Sequence, residues 1–276
     1  MLQLFSPAKL NLFLRILKKR EDGFHELASL FQAISLGDTL TYKTSSNDQL
    51  TAEGIPMPLD ENNLILKAAR LFRQKTRLPL YVSVHVNKQI PLEAGLGGGS
   101  SNAATTLWAM NELAGRPVKR SELTNWGGEL GSDVAFFLSS GTAYCTGRGE
   151  IIKPLEDLPY KPEFTLIKPD FGASTPAVYK ALKVAELEQR DPLAFLDKFY
   201  KSDFAYFNDL EGAAFHVVPE LRTVKQQLIA AGYDEAVMAG SGSTFFCLGE
   251  PKHPLAANFY VKKAHFVRRE NSESWY

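Results

Sequence analysis

Cysteine is scarce in this chain of 276 residues: Cys145 and Cys247 are the only two, far apart and each set among apolar residues. A disulfide framework or a thiolate metal site needs more than that, so both read as buried thiols in a reducing compartment. Neither sign of charge is in surplus. Lys and Arg total 31 and Asp and Glu total 31, which removes the global field that draws a chain to nucleic acid or to an anionic membrane. The five histidines (His25, His85, His216, His253 and His265) show no HxxxH or HExxH spacing, and a histidine metal site loses its support. Long apolar runs are missing as well. Lys9, Asn11 and Arg15 break up the amino-terminal apolar residues, so neither a signal peptide nor a stretch of the ~18 to 20 apolar residues that spans a bilayer is expected. The expectation is a cytoplasmic protein without a nucleic-acid or membrane partner. Monomer and homodimer both stay open.

What is present is the mixture of a globular protein, 45% apolar and 22% charged, long enough for one large or two ordinary domains. Alternating apolar residues predict strands over 2–5, 10–16, 27–36 and 39–44, with Gly37-Asp38 as the turn between the last two. A helical period follows over 63–74, then a strand over 80–86. Ala103, Ala104, Leu107, Met110, Asn111 and Ala114 mark a second helix that Gly115 and Pro117 stop. A short helix over 121–130 opens on a Ser cap, and residues 131–155 read as strand and turn, with Asp133 heading an apolar strand. The Pro-rich, charged stretch 156–162 is the expected junction between domains 1–155 and 156–276. Beyond it come a strand over 164–168, three or four helices between 175 and 231, and strands over 236–238, 244–248 and 260–268. Helices and strands mix without a strict βαβ rhythm, which makes the class α+β.

The most informative segment is Gly95-Leu96-Gly97-Gly98-Gly99-Ser100-Ser101, with Pro91 just before it. Four glycines in five positions let the backbone approach a bulky anion closely. The run leads into a helix, whose free first amides and positive dipole end suit that anion. It is neither GxxxxGK[ST], since no Lys follows, nor GxGxxG, since Ser100 falls where the third glycine belongs. A mere flexible turn needs only one or two glycines.

Two further segments complete a pattern: Ser6-Pro7-Ala8-Lys9-Leu10-Asn11-Leu12 before the loop, and Met238-Ala239-Gly240-Ser241-Gly242-Ser243-Thr244 after it. Together the three resemble, in order, the motifs of the GHMP kinases, the superfamily of galactose, homoserine, mevalonate and phosphomevalonate kinases. That resemblance implies a two-domain α+β fold, with a ribosomal-protein-S5-like α/β domain that binds ATP and a ferredoxin-like α+β domain that binds the acceptor. It also implies ATP, Mg²⁺ and a small-molecule substrate. Asp22-Gly23-Phe24-His25-Glu26-Leu27 and Gly131-Ser132-Asp133-Val134 are most similar to the branch that acts on a cytidine-diphosphate-linked methylerythritol. The implied reaction is transfer of the ATP γ-phosphoryl to the acceptor 2-hydroxyl, a step of the non-mevalonate route to isoprenoids. A kinase for another small alcohol, or a nucleotide-binding member without catalysis, would share the loop.

On this resemblance Asp133 is the base for the acceptor hydroxyl and Lys9 stabilises charge in transfer. A cap for the Gly-Ser loop and a snorkelling strand lysine are the alternatives. Gly95, Leu96, Gly97, Gly98, Gly99, Ser100 and Ser101, with Pro91 and Asn63, would bind ATP, and Ser101 would reach Mg²⁺. Asn11, Phe24, His25, Thr175 and Tyr179 would bind the acceptor, whose pyrimidine needs polar groups at its edge and aromatic faces to stack on. Many family members have Tyr where Phe24 stands. Gly240, Ser241 and Gly242 would support the phosphate loop, and Arg148 in Gly147-Arg148-Gly149 would contact phosphate.

Overall fold

The computed structural model describes residues 1–255, 259–270 and 274–276. Its first sheet has seven strands: β1 (Leu2–Lys19), β2 (His25–Ser45), β3 (Gln49–Gly54), β4 (Tyr81–Lys88), β5 (Thr142–Gly147), β6 (Ile151–Pro154) and β8 (Phe207–Asn208). The order is β3-β4-β2-β1-β8, with β5 paired to β2 and β6 to β5. Four helices accompany this sheet: α1 (Leu64–Thr76), α2 (Gly98–Leu113), α3 (Arg120–Leu130) and α4 (Val134–Phe137). Phe31, Tyr42 and Val84 from the strands meet Ile65, Phe72, Leu107 and Phe136 from the helices in one core.

The second sheet is antiparallel, in the order β11 (Tyr260–Ala264), β7 (Phe164–Lys168), β10 (Phe245–Leu248), β9 (Glu235–Met238). Helices α5 (Thr175–Ala181), α6 (Pro192–Tyr200), α7 (Glu211–Val217) and α8 (Glu220–Ala230) lie between β7 and β9 in the chain. Val178, Leu210, Leu221 and Leu228 pack on Ile167, Met238 and Phe245. The α+β class read from the sequence holds in both halves. Residues 155 and 156 fall between β6 and β7, which belong to different sheets. Two segments cross that line: β8 adds to the edge of β1 in parallel, and Phe266 and Trp275 return to cores that contain first-half residues.

Three local expectations need correction. Gly37-Asp38 makes no turn: β2 runs unbroken from His25 to Ser45, with a bulge opposite Pro7 and Ala8. The polar pair reads as a turn only because its partners lie elsewhere, since the Asp38 carboxylate accepts the amides of Gln89 and Ile90. The segment after Asp133 is not a strand but the single helical turn α4, with all four residues buried; a short apolar run bounded by Gly and Ser has no period to separate the two. Helix α3 starts one residue before Ser121, with Lys119 at the N-cap and its amide donating to the Glu122 carboxylate, so Ser121 is not its cap.

Candidate active site

The glycine run becomes the entry to α2. Gly97 is the N-cap at φ +69°, a left-handed conformation that a side chain would strain. Gly95, at φ +73°, lies against the turn between β9 and β10, and a Cβ there would overlap the Ala239 carbonyl oxygen. The amides of Ser243 and Thr244 donate to the carbonyls of Glu93 and Ala94, so the loop and the third motif are bonded side by side. The Lys9 amide donates to the Leu96 carbonyl at 2.9 Å, which ties the first motif to the same loop.

A cleft of ≈ 770 Å³ opens where these three segments meet, within the size range of small-molecule sites. Pro91, Gly95, Leu96, Gly97, Gly98, Gly99 and Ser100 line one end, and Gly240 and Ser241 border it. Lys9, Asn11 and Asp133 lie on its wall, with Phe24, His25, Thr175 and Tyr179. Ser101, Asn63 and Gly242 do not line it. The Ser101 hydroxyl is buried against that of Ser6 at 2.8 Å, and the Asn63 side chain caps α1 through the Ile65 amide.

Lys9 and Asp133 come together from opposite ends of the first half, Nζ to Oδ2 at 3.4 Å. Asp133 is the N-cap residue of α4. The Lys9 side chain is buried and the Asp133 carboxylate partly open. Lys9 also donates to Asn11 Oδ1 at 2.7 Å and sits 4.6 Å from the Phe31 ring centroid. Among the described residues no three His, Cys, Asp or Glu side chains gather as a metal site.

At the other end of the cleft the His25 and Tyr179 rings pair, centroids 5.4 Å apart. Burial, and secondarily the Lys19 ammonium, lower the His25 pKa and favour its neutral ring. Burial raises the Tyr179 hydroxyl well above its usual value, with the Asp133 charge adding to it. Phe24 is 53% exposed, and the Arg148 guanidinium lies 4.8 Å from its ring centroid. Thr175 and Ser241, both in the second half, share a 2.6 Å hydrogen bond that ties the start of α5 to the third motif.

Other polar residues here gave no signal in the sequence. Asp38 and Lys88 form a buried pair at 2.6 Å, and Asn102 donates to the same carboxylate. Burial lowers the Lys88 pKa, opposed by Asp38. Lys88 lines the cleft beside Gly98. Asn208 donates to the Met238 and Gly240 carbonyls, holding the third motif from β8. These are partners brought together from distant segments, which no local pattern predicts.

Comparison with known proteins bears on the whole chain. The family model for the GHMP kinases N terminal domain matches residues 63–141, and that for the GHMP kinases C terminal matches residues 184–262. A 4-diphosphocytidyl-2-C-methyl-D-erythritol kinase of Protochlamydia amoebophila (strain UWE25) is 50% identical, over all of this chain and 93% of its own length. The chloroplastic/chromoplastic enzyme of that name from Solanum lycopersicum is 46% identical, over all of this chain and 73% of its length. A crystal structure of 4-(cytidine 5'-diphospho)-2C-methyl-D-erythritol kinase superposes with a TM-score of 0.80 at 35% identity, covering 96% of this chain and 99% of that one. A homoserine kinase from Cytophaga hutchinsonii, 18% identical with a TM-score of 0.67, shares the fold.

Proposed function

The chain belongs to the GHMP kinases, in the family of the 4-diphosphocytidyl-2-C-methyl-D-erythritol kinases, and from that membership we propose that it transfers the γ-phosphoryl of ATP to the 2-hydroxyl of the cytidyl acceptor. The observation that carries the chemistry is the Lys9–Asp133 pair at 3.4 Å, with the Lys9 backbone bonded to the glycine loop. The donor phosphates lie over the α2 amino terminus, where unpaired amides and the helix dipole meet negative charge. Asp133 takes the acceptor hydroxyl proton as the new P–O bond forms and the bond from the γ-phosphorus to the bridging oxygen breaks, leaving ADP. The Lys9 ammonium stabilises the charge on the phosphoryl in flight. Asn11 holds the acceptor hydroxyl.

Bound Mg²⁺ would neutralise charge between the β and γ oxygens. An ion that keeps phosphate and water ligands needs only one or two protein oxygens, which fits a cleft without a cluster of metal-type ligands among the described residues. Ser100 is the candidate, in place of the buried Ser101. Phe24 and Tyr179 supply stacking faces for the cytosine, and neutral His25 offers polar atoms to its edge. Gly240 and Ser241 brace the loop. Domain 1–155 binds the donor and carries Lys9 and Asp133, and the acceptor lies between it and domain 156–276, which contributes Thr175 and Tyr179. The cytoplasmic placement expected from the sequence belongs with this reading; among the described residues no helix is long and apolar enough to cross a membrane.

The test is an ADP-release assay offering the cytidyl acceptor, mevalonate and homoserine in turn, with Asp133→Asn alongside. Turnover is expected with the cytidyl acceptor alone, and a loss of roughly 10²- to 10⁴-fold in the variant. Turnover of only mevalonate or homoserine refutes the acceptor, and an unimpaired Asp133→Asn refutes the base.

A further inference from the structure

Behind the cleft wall, Ser29 on β2 is fully buried and touches none of the reacting groups. Its hydroxyl stands 2.5 Å from the Phe13 carbonyl. A carbonyl only accepts, so the single hydroxyl proton is committed to it. The remaining face of the Ser29 oxygen can therefore only accept, and it faces the Asn11 amide at 2.9 Å. The Asn11 group on that side must be the NH₂, which turns Oδ1 the other way, towards Lys9 Nζ at 2.7 Å. A lysine ammonium has donors only. With the amide reversed, its NH₂ would face the ammonium and its oxygen would face an oxygen lone pair, two repulsive contacts among buried groups.

We propose that Ser29 is a positioning residue that sets the polarity of the Asn11 amide and, through it, the seat of the Lys9 ammonium beside Asp133. The chain of donors runs one way: Lys9 to Asn11, Asn11 to Ser29, Ser29 to the Phe13 carbonyl. Linked buried hydrogen bonds of this kind are costly to leave half satisfied. Without the hydroxyl, the buried Asn11 NH₂ loses its acceptor and the amide turns to find another, taking Oδ1 away from Lys9. The inference rests on the reading that Lys9 and Asp133 carry the phosphoryl transfer.

The experiment compares Ser29→Ala, Ser29→Thr, Asn11→Asp, the Ser29→Ala/Asn11→Asp double variant and Asp133→Asn, by steady-state kinetics and by calorimetric ADP binding. Ser29→Ala is expected to lower kcat about tenfold while the KM for ATP and the ADP affinity stay within about twofold. Ser29→Thr, which keeps a hydroxyl, recovers the rate. In the Asn11→Asp background Ser29→Ala brings no further loss, because a carboxylate has no donor side to orient. An unchanged kcat in Ser29→Ala overturns the inference. So does a loss shared equally by ADP affinity and not recovered by Thr, which marks a general packing defect. If Ser29→Ala does not fold, Ser29→Cys, a much weaker donor, is judged by the same outcomes. Full turnover in Asp133→Asn overturns both this inference and the reading beneath it. Loss in Asp133→Asn beside normal turnover in Ser29→Ala overturns the inference alone.

Discussion

His25 is held neutral by burial and by the nearby Lys19, and that has a consequence for stability. Its folded-state pKa lies below the ordinary 6.5, so in the window just beneath that value the unfolded chain binds more protons than the folded one. Stability then rises with pH across the window and falls as pH is lowered through it. Urea midpoints at about pH 7.5 and about pH 5.5 are expected to differ less in His25→Asn than in the parent, since the variant lacks the titrating group. An equal difference in both proteins rules this out. The candidate residues themselves were legible one at a time. Lys9, Asp133, His25 and Tyr179 stand out as a lysine and a carboxylate in apolar settings and aromatics in motif positions. Ser29, Asp38 and Asn208 were not, because what distinguishes each is its partner across the fold.

Among the elements, β2 and α2 meet at Asp38. One carboxylate receives Lys88 Nζ, Asn102 Nδ2 and the amides of Gln89 and Ile90, joining mid-β2 to the end of β4, the approach to the glycine loop and the first turns of α2. Asp38→Asn leaves the buried Lys88 ammonium uncompensated and is expected to cost about 3 to 5 kcal/mol of stability. Chemical denaturation measures it, and a change under about 1 kcal/mol contradicts the pairing. The glycine loop depends on its neighbour as well. Gly95→Ala must leave a left-handed φ and part the loop from the Ala239 carbonyl, so the KM for ATP is expected to rise by about an order of magnitude or more. A KM equal to that of the parent would show that the two turns need not touch. Element types were read well where a long period existed, as in α1, α2 and β4. They failed at α4, where four buried residues carry no period, and at Gly37-Asp38, where turn-forming residues sit inside a long strand.

For the molecule as a whole, the two sheets are interlocked. β8 pairs with β1, and the Asp209 carboxylate takes Arg15 and the Ile16 amide at 2.7 and 2.8 Å. Ser243 and Thr244 bond to the glycine loop. The expected result is one cooperative unfolding transition, with calorimetric and van't Hoff enthalpies in agreement; two separate transitions would show independent halves. By itself the sequence determined the α+β class, the glycine-rich entry to a helix and the three motifs, since each rests on composition or local order along the chain. Only the tertiary structure decided which side chains share the cleft. Lys9 and Asp133 are 124 positions apart, and Ser101, inside the best motif, turns into the core while Lys88, outside every motif, reaches the wall. The glycine run lines the cleft while β1 and the Ala239 turn hold it along its other side, and hydrogen bonds between distant segments leave no periodic trace in the sequence.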